Sequence, residues 1–442
     1  YECPRLTQIE IWGALRELER RGIVFVEAPT GVGKTSAILS FLVDRILEGS
    51  GRITWFCYTH RQQEVVLREA ERIEEKVGVR LNTVLVRGMS SLCRFREVRE
   101  AVFPYWACRR IVLSGCCDIG KCPYLRQFLE IPYSRLVVLT YAYLKYPEVL
   151  DLVQSPYIVF DEAHHLLTPF RVEIPLEWVK RAYSEARLNV FKEMLEKKKV
   201  VETRRLTEVP LSFSEYVNEV IKRLSSVSRV YYVKNEEKYV GLDFSVYRRI
   251  KDLTVGSYVV FTSATLPEQM KSIIGNGEFR RVRRHEYESK AIVFTGVKLP
   301  KRAWRKFKVL RSIQWIVSIA SKFYRRTLLV FPSTELLEKY KKYFELPENT
   351  IGIVAGSREA EGVDLDADIC VILGVPYDRV TRITIETVKY FRRYSRKPKT
   401  LGYTIPAVIK AVQAAGRILR KPNRIVVFYD KRWIKLRNFY PK

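Results

Sequence analysis

Lys34 and Thr35 close the stretch Glu27-Ala28-Pro29-Thr30-Gly31-Val32-Gly33-Lys34-Thr35, whose residue types suit the handling of phosphate. The loop Thr30, Gly31, Val32 and Gly33, with glycine at two positions, can turn its backbone N–H groups inward, and the helix that follows adds its N-terminal donors. In that arrangement Lys34 reaches the β- and γ-phosphates of ATP and the Thr35 hydroxyl holds Mg²⁺, with Ser36 just inside the helix. A second pair of chemical groups stands far along the chain. The apolar run Tyr157–Phe160 ends in Asp161 and Glu162. Asp161 there can hold Mg²⁺, and Glu162, one residue on, can orient or deprotonate the attacking water.

A third set is sulfur. The chain has eight cysteines, of which Cys93, Cys108, Cys116, Cys117 and Cys122 fall within one segment. With no secretory signal visible, a local cluster reads as a metal site before a disulfide framework. Cys93, Cys108, Cys116 and Cys122 make four thiolates, and Cys117 is the alternative to Cys116. Four thiolates suit a [4Fe–4S] cluster and equally a structural zinc, although the C-x2-C pairs usual in zinc sites do not occur. Tyr105 and Trp106, beside Arg109 and Arg110, are candidates for stacking on bases or for packing around the metal, and Arg94 for a backbone phosphate. Cys3, Cys57 and Cys370 read as core residues.

These groups need elements to hold them. Ile23–Val26 is expected as a strand leading into the loop and Ser36–Leu47 as the helix leaving it. Further strands are expected at 53–57, 83–86, 136–140, 157–160 and 258–262, with a helix over 62–76. Short β-branched runs alternating with helices predict a parallel sheet covered on both faces. From about residue 167 to 250 charged helical patterns dominate, so an inserted helical subdomain is expected. A basic linker then carries Arg280, Arg281, Arg283 and Arg284, followed by Lys301, Arg302, Arg305, Lys306 and Lys308. A second α/β unit begins near residue 290, with strands at 327–331, 350–354, 369–373 and 424–428 and helices over 335–344 and 405–419.

Composition supplies the partner. A net charge of +29 on 442 residues points to a polyanion, most simply nucleic acid. No apolar run is long enough to span a bilayer, so no membrane is expected. Abundant Lys, Arg and Glu with only three Met is a thermophile-like composition. We therefore expect an intracellular, cytoplasmic protein of a prokaryotic thermophile, acting as a monomer.

The motifs together resemble the superfamily 2 helicases. Asp161-Glu162-Ala163-His164 is similar to their D-E-A-H box. Thr262-Ser263-Ala264-Thr265 resembles the S-A-T motif, Leu328 to Ser333 the first strand motif of the second motor domain, and Glu361-Gly362-Val363-Asp364 the E-G-x-D motif. Gln413-Ala414-Ala415-Gly416-Arg417-Ile418-Leu419-Arg420 resembles the last helicase motif; its three polar residues recur at i, i+4 and i+7 on one helix face. Arg87 to Cys93, Cys122-Pro123-Tyr124 and Thr140 to Leu144 narrow the resemblance to the XPD and DinG group of iron–sulfur DNA helicases. That resemblance implies two RecA-like motor domains, a [4Fe–4S] domain and a short, helical arch-like insert. The implied division is motor domain 1 from 1–90, 131–166 and 251–289, the cluster domain at 91–130, the insert at 167–250 and motor domain 2 at 290–442. It implies ATP-dependent 5′-to-3′ translocation on single-stranded and forked DNA in repair. Rival activities are a translocase that remodels complexes without separating strands and a D-E-A-H RNA helicase. It further implies an adenine-sensing Gln8, γ-phosphate contacts from Gln413, Arg417 and Arg420, nucleotide contacts from Glu361 and Asp364, and nucleic-acid contacts at Thr59, His60 and Ser333.

Overall fold

The computed structural model describes residues 4–49, 51–203, 214–283, 290–357, 366–419 and 421–437. Three sheets carry the architecture. In chain order the strands of the first half are β1 (Ile23–Glu27), β2 (Ile53–Cys57), β3 (Val84–Leu85), β4 (Leu136–Thr140), β5 (Tyr157–Asp161), β6 (Phe170–Pro175), β7 (Val200–Glu202), β8 (Arg229–Val233), β9 (Lys238–Asp243), β10 (Tyr258–Ser263) and β11 (Glu278–Arg281). Those of the second half are β12 (Lys290–Val293), β13 (Thr327–Phe331), β14 (Thr350–Val354), β15 (Ile369–Leu373) and β16 (Ile425–Tyr429).

The first sheet runs β11-β1-β10-β5-β2-β4-β3, and every neighbouring pair in it is parallel. Its central strands are buried along almost their whole length, which is why they read as unbroken apolar runs. One face buries Phe25, Phe56, Phe160 and Phe261, the other Trp55, Leu39, Leu42 and Val66. The second sheet, β12-β16-β15-β13-β14, is also all parallel. No helix among the described residues is long and apolar enough to cross a membrane.

The insert differs from the helical subdomain expected. Helices Leu176–Ala186, Asn189–Lys197 and Glu215–Ser225 are present, but they pack on a four-stranded antiparallel sheet, β6-β9-β8-β7. Its strands are short and flanked by charge, and the β8–β9 hairpin turns through Lys234–Glu236 with Glu237 at φ +43°, so no long alternating pattern announces them. Parts of the basic linker lie in regular elements, while Arg284 lies outside the described residues. Arg280 and Arg281 lie in β11, an edge strand beside β1, where charged side chains are tolerated because one edge is open. Lys308 lies in a helix, Phe307–Phe323, that the run of cations disguises.

Candidate nucleotide cleft and its polar relay

Strand order brings the chemistry together. β1 is flanked by β10, and β10 by β5, in a register that sets Glu27 opposite Ser263 and Thr262 opposite Asp161. The phosphate loop, the S-A-T segment and the acidic pair therefore leave the sheet side by side at its C-terminal edge, where open α/β sheets bind ligands. The loop needs its glycines. Gly31 and Gly33 take φ of +79° and +81°, and a Cβ on Gly33 would stand 2.7 Å from Gln8 Nε2. The Gln8 amide is buried against the loop, and its Oε1 accepts from the Arg5 N–H at 3.0 Å. Arg5 in turn donates to the Gly31 carbonyl. Lys34 Nζ donates to the carbonyls of Ala28 and Pro29, at 3.0 and 3.1 Å, which keeps its cation at the loop. Thr35, half-buried, begins the helix Lys34–Glu48 with it. The Ser36 hydroxyl points elsewhere, donating to Glu69 at 2.8 Å. A cavity of about 680 Å³ adjoins the loop, with Arg5, Gln8, Gly31 and Gly33 at one end and Asp44 and Glu69 further along.

Asp161 is buried at the end of β5. Burial, and then the adjacent Glu162 carboxylate, push its pKa up to about 7, against the pull of Lys34. Glu162 adopts φ +52°, a left-handed backbone uncommon for a residue with a side chain, and its N–H donates to Asp161 Oδ1. Burial raises its pKa, but bonds from His164 and Ser263 with the Lys34 charge outweigh that and hold it below the usual carboxylate range. Ser263 Oγ donates to Glu162 Oε2 at 2.9 Å, and His164 Nδ1 lies 2.7 Å from Ser263 Oγ and 3.2 Å from Glu162 Oε2. The other imidazole nitrogen faces Gln413 Nε2 at 2.7 Å. An amide nitrogen only donates, so His164 Nε2 accepts and its proton sits on Nδ1. Glu162, Ser263, His164 and Gln413 thus form one polar relay from the acidic pair of the first sheet to the helix Ile405–Gly416 of the second half. Thr30 Oγ1 donates to the Gly416 carbonyl at 3.2 Å, so the phosphate loop meets the same helix, and Arg417 follows directly, half-buried. Glu361, Asp364 and Arg420 lie outside the described residues.

Some residues of the cleft carry only weak signals in sequence. Glu27, buried before the loop, pairs with Arg281 of β11, and only a carboxylate in an otherwise apolar run hints at it. His165, its pKa depressed by burial, stacks on Tyr58 at 3.4 Å between ring centroids. That stack ties the acidic segment to the end of β2, where Thr59 and His60 are exposed. Thr59 caps the helix His60–Val77 by accepting from the Gln62 N–H. Ser333 holds the equivalent place after β13, capping Thr334–Lys341.

The cysteine segment sits apart from the cleft. Cys93 is buried with Val98 and Ala107, beside Cys108. Burial raises the Cys108 thiol, as do the neighbouring sulfurs of Cys93, Cys122 and Cys117; Cys117 is raised by burial and by Cys122 and Cys93. Cys116 is exposed and its Sγ faces the Ser114 carbonyl. Among the described residues no three His, Cys, Asp or Glu side chains are gathered closely enough to hold a metal ion. The thiols of Cys93, Cys108, Cys117 and Cys122 fit an iron–sulfur cluster in donor type alone. Arg94 and Tyr105 are exposed, and Arg109 lies over the Trp106 ring. Phe103 is buried against Trp178 and Tyr216 of the insert, and Arg110 pairs with Glu215 there.

Residues 331–438 match the helicase C-terminal domain family. No curated protein matches the chain in sequence. Among solved structures, one titled XPD helicase superposes with a TM-score of 0.69 at 17% identity, covering 98% of this chain and 97% of its own. An apo XPD structure gives 0.63 at 17% identity over 97% of both chains. The Xpd4 structure from S. tokodaii gives 0.62 at 17% identity, over 98% of this chain and 96% of its own. The chain therefore shares the fold of the XPD helicase structures, and its residues 331–438 are similar to the helicase C-terminal domain family.

Proposed function

We propose that this protein is an ATP-dependent DNA helicase that translocates 5′-to-3′ on single-stranded DNA. The observation that carries the reading is the relay Glu162–Ser263–His164–Gln413, because it joins a water-activating carboxylate to the facing half of the molecule. The loop N–H groups and Lys34 bind and orient the phosphates, and Gln8, beside Gly33, senses the base. Glu162, kept ionised by its neighbours, positions the attacking water. Gln413, Arg417 and Arg420 reach the γ-phosphate from the second half, so their alignment depends on how the halves meet, and hydrolysis changes that fit. Thr35 and Asp161 would hold Mg²⁺, which when bound neutralises charge on the transferred phosphoryl group.

The polarity and the DNA preference rest on likeness to the XPD and DinG group. Cys93, Cys108 and Cys122, with Cys117 taken in place of Cys116 because Cys116 is exposed and its Sγ faces the Ser114 carbonyl, are the four residues we assign to a [4Fe–4S] cluster; it would brace the segment that also carries Arg94, Tyr105 and Trp106 toward DNA. Thr59, His60 and Ser333 are assigned to the DNA backbone. The test is anaerobic unwinding of two matched duplexes, one with a 5′ tail and one with a 3′ tail, with Lys34→Ala as the control. Displacement from the 5′ tail alone, lost in the control, is the expected result. Displacement from the 3′ tail alone overturns the polarity, and ATP hydrolysis without displacement of either indicates a remodelling translocase.

A further inference from the structure

We propose that residues 298–311, together with the flank of the helix Thr334–Lys341, form a second track for single-stranded polynucleotide on the C-terminal half; this rests on the nucleic-acid reading above. Residues 298–311 contain seven Lys and Arg and no Asp or Glu. Lys301, Arg302, Arg305, Lys306 and Lys308 are all exposed. Among the described residues only Lys301 of the seven forms an ion pair, with Glu335 at 2.8 Å. Charge left uncompensated on one surface costs self-repulsion, which a polyanion relieves.

The placement makes the cluster more than a solvated face. Lys301 meets Glu335 in the first turn of that helix, two residues beyond Ser333. Arg305 and Arg379 add to the positive field on Glu335. At the other end Phe307 packs against Tyr343 and Phe344, with ring centroids 5.5 and 5.9 Å away. Phe307 is 44% exposed and Tyr343 57%, and the two rings meet at 69°, forming an open aromatic corner with the Arg311 guanidinium over Phe307. Cations that follow a sugar–phosphate backbone, interleaved with exposed rings that accept bases by stacking, are what sequence-tolerant single-strand binding requires. The eight-residue helix between the two ends spans about 12 Å, room for roughly two to three nucleotides.

The test is fluorescence anisotropy with labelled oligodeoxythymidylates of increasing length, titrated with salt. The proteins are wild type, the triple variant Arg302→Ala, Arg305→Ala, Lys306→Ala, and Phe307→Ala alone, each checked for an unchanged melting temperature and unchanged DNA-independent ATP hydrolysis. Short oligomers are expected to bind all three equally. On long oligomers the triple variant should lose about two units of the slope of log K against log salt, at about 0.7 per phosphate contact. Phe307→Ala should bind long oligomers about tenfold more weakly with its salt slope intact. Variants that match wild type at every length and slope overturn this track while leaving the helicase reading standing, and would assign the face to an acidic protein surface. A wild-type protein that binds no oligomer overturns both.

Discussion

Ser263→Ala cuts the relay at its middle and removes one hydroxyl without touching the phosphate loop. Ser263 is fully buried, and its Oγ donates to Glu162 Oε2 at 2.9 Å while standing 2.7 Å from His164 Nδ1. A hydrogen bond to a charged group contributes about 1.5–3 kcal/mol, and the half-buried Glu162 carboxylate recovers part of that loss from solvent. His164 Nδ1 still lies 3.2 Å from Glu162, so the relay weakens rather than vanishes. If Glu162 positions water, the loss raises the barrier, and kcat for DNA-stimulated ATP hydrolysis falls about 10- to 100-fold. KM for ATP is unchanged, because Ser263 contributes to the transition state and not to phosphate binding. The pH profile carries the sharper signature. Glu162 sits below the usual carboxylate range, so at saturating Mg²⁺ its ionised form persists to low pH and its part in kcat is lost as pH falls through its pKa. Removing the donor raises that pKa, so the acid limb of kcat moves to higher pH. A Ser263→Ala enzyme with wild-type kcat and an unmoved acid limb refutes the reasoning.

Asp161 behaves in the opposite sense. With its pKa pushed up to about 7, it holds a proton that Mg²⁺ must displace. The apparent Mg²⁺ affinity measured by ATPase titration should therefore fall about tenfold per pH unit below pH 7, and a flat dependence between pH 6 and 7 contradicts the assignment. Cys117→Ser should lose iron in a colorimetric assay of anaerobically purified protein while Cys116→Ser retains it, since Cys117 adjoins the other sulfurs and Cys116 faces solvent. Phe103→Ala removes the ring held between Trp178 and Tyr216, a loss of about 3–5 kcal/mol of packing, and limited proteolysis should then cut between the cysteine segment and the insert faster than in wild type.

The strands that carry the cleft were legible because each is short, apolar and buried on two faces, so β2, β4, β13, β14 and β15 fall where the residue pattern puts them. Their order was not, because nothing in a single strand states its neighbour. That β10 lies between β1 and β5 turns three separate motifs into one site and brings Ser263 to His164, while the contact of His164 with Gln413 depends on how the helix Ile405–Gly416 meets that sheet. The same limit hides the place of Phe391, Leu401 and Ile405: they belong to the second half of the chain yet are buried in the core of the first sheet. Within a motif, adjacent residues of like chemistry compete. Ser36 follows Thr35 with the same hydroxyl, but one helical step turns a side chain by about 100°, and the Ser36 hydroxyl donates to Glu69 in the cavity beside the loop. Cys116 and Cys117 differ in the same way, Cys116 exposed and Cys117 half-buried. Spacing therefore identifies which chemistry is present, while the choice among neighbours belongs to backbone direction.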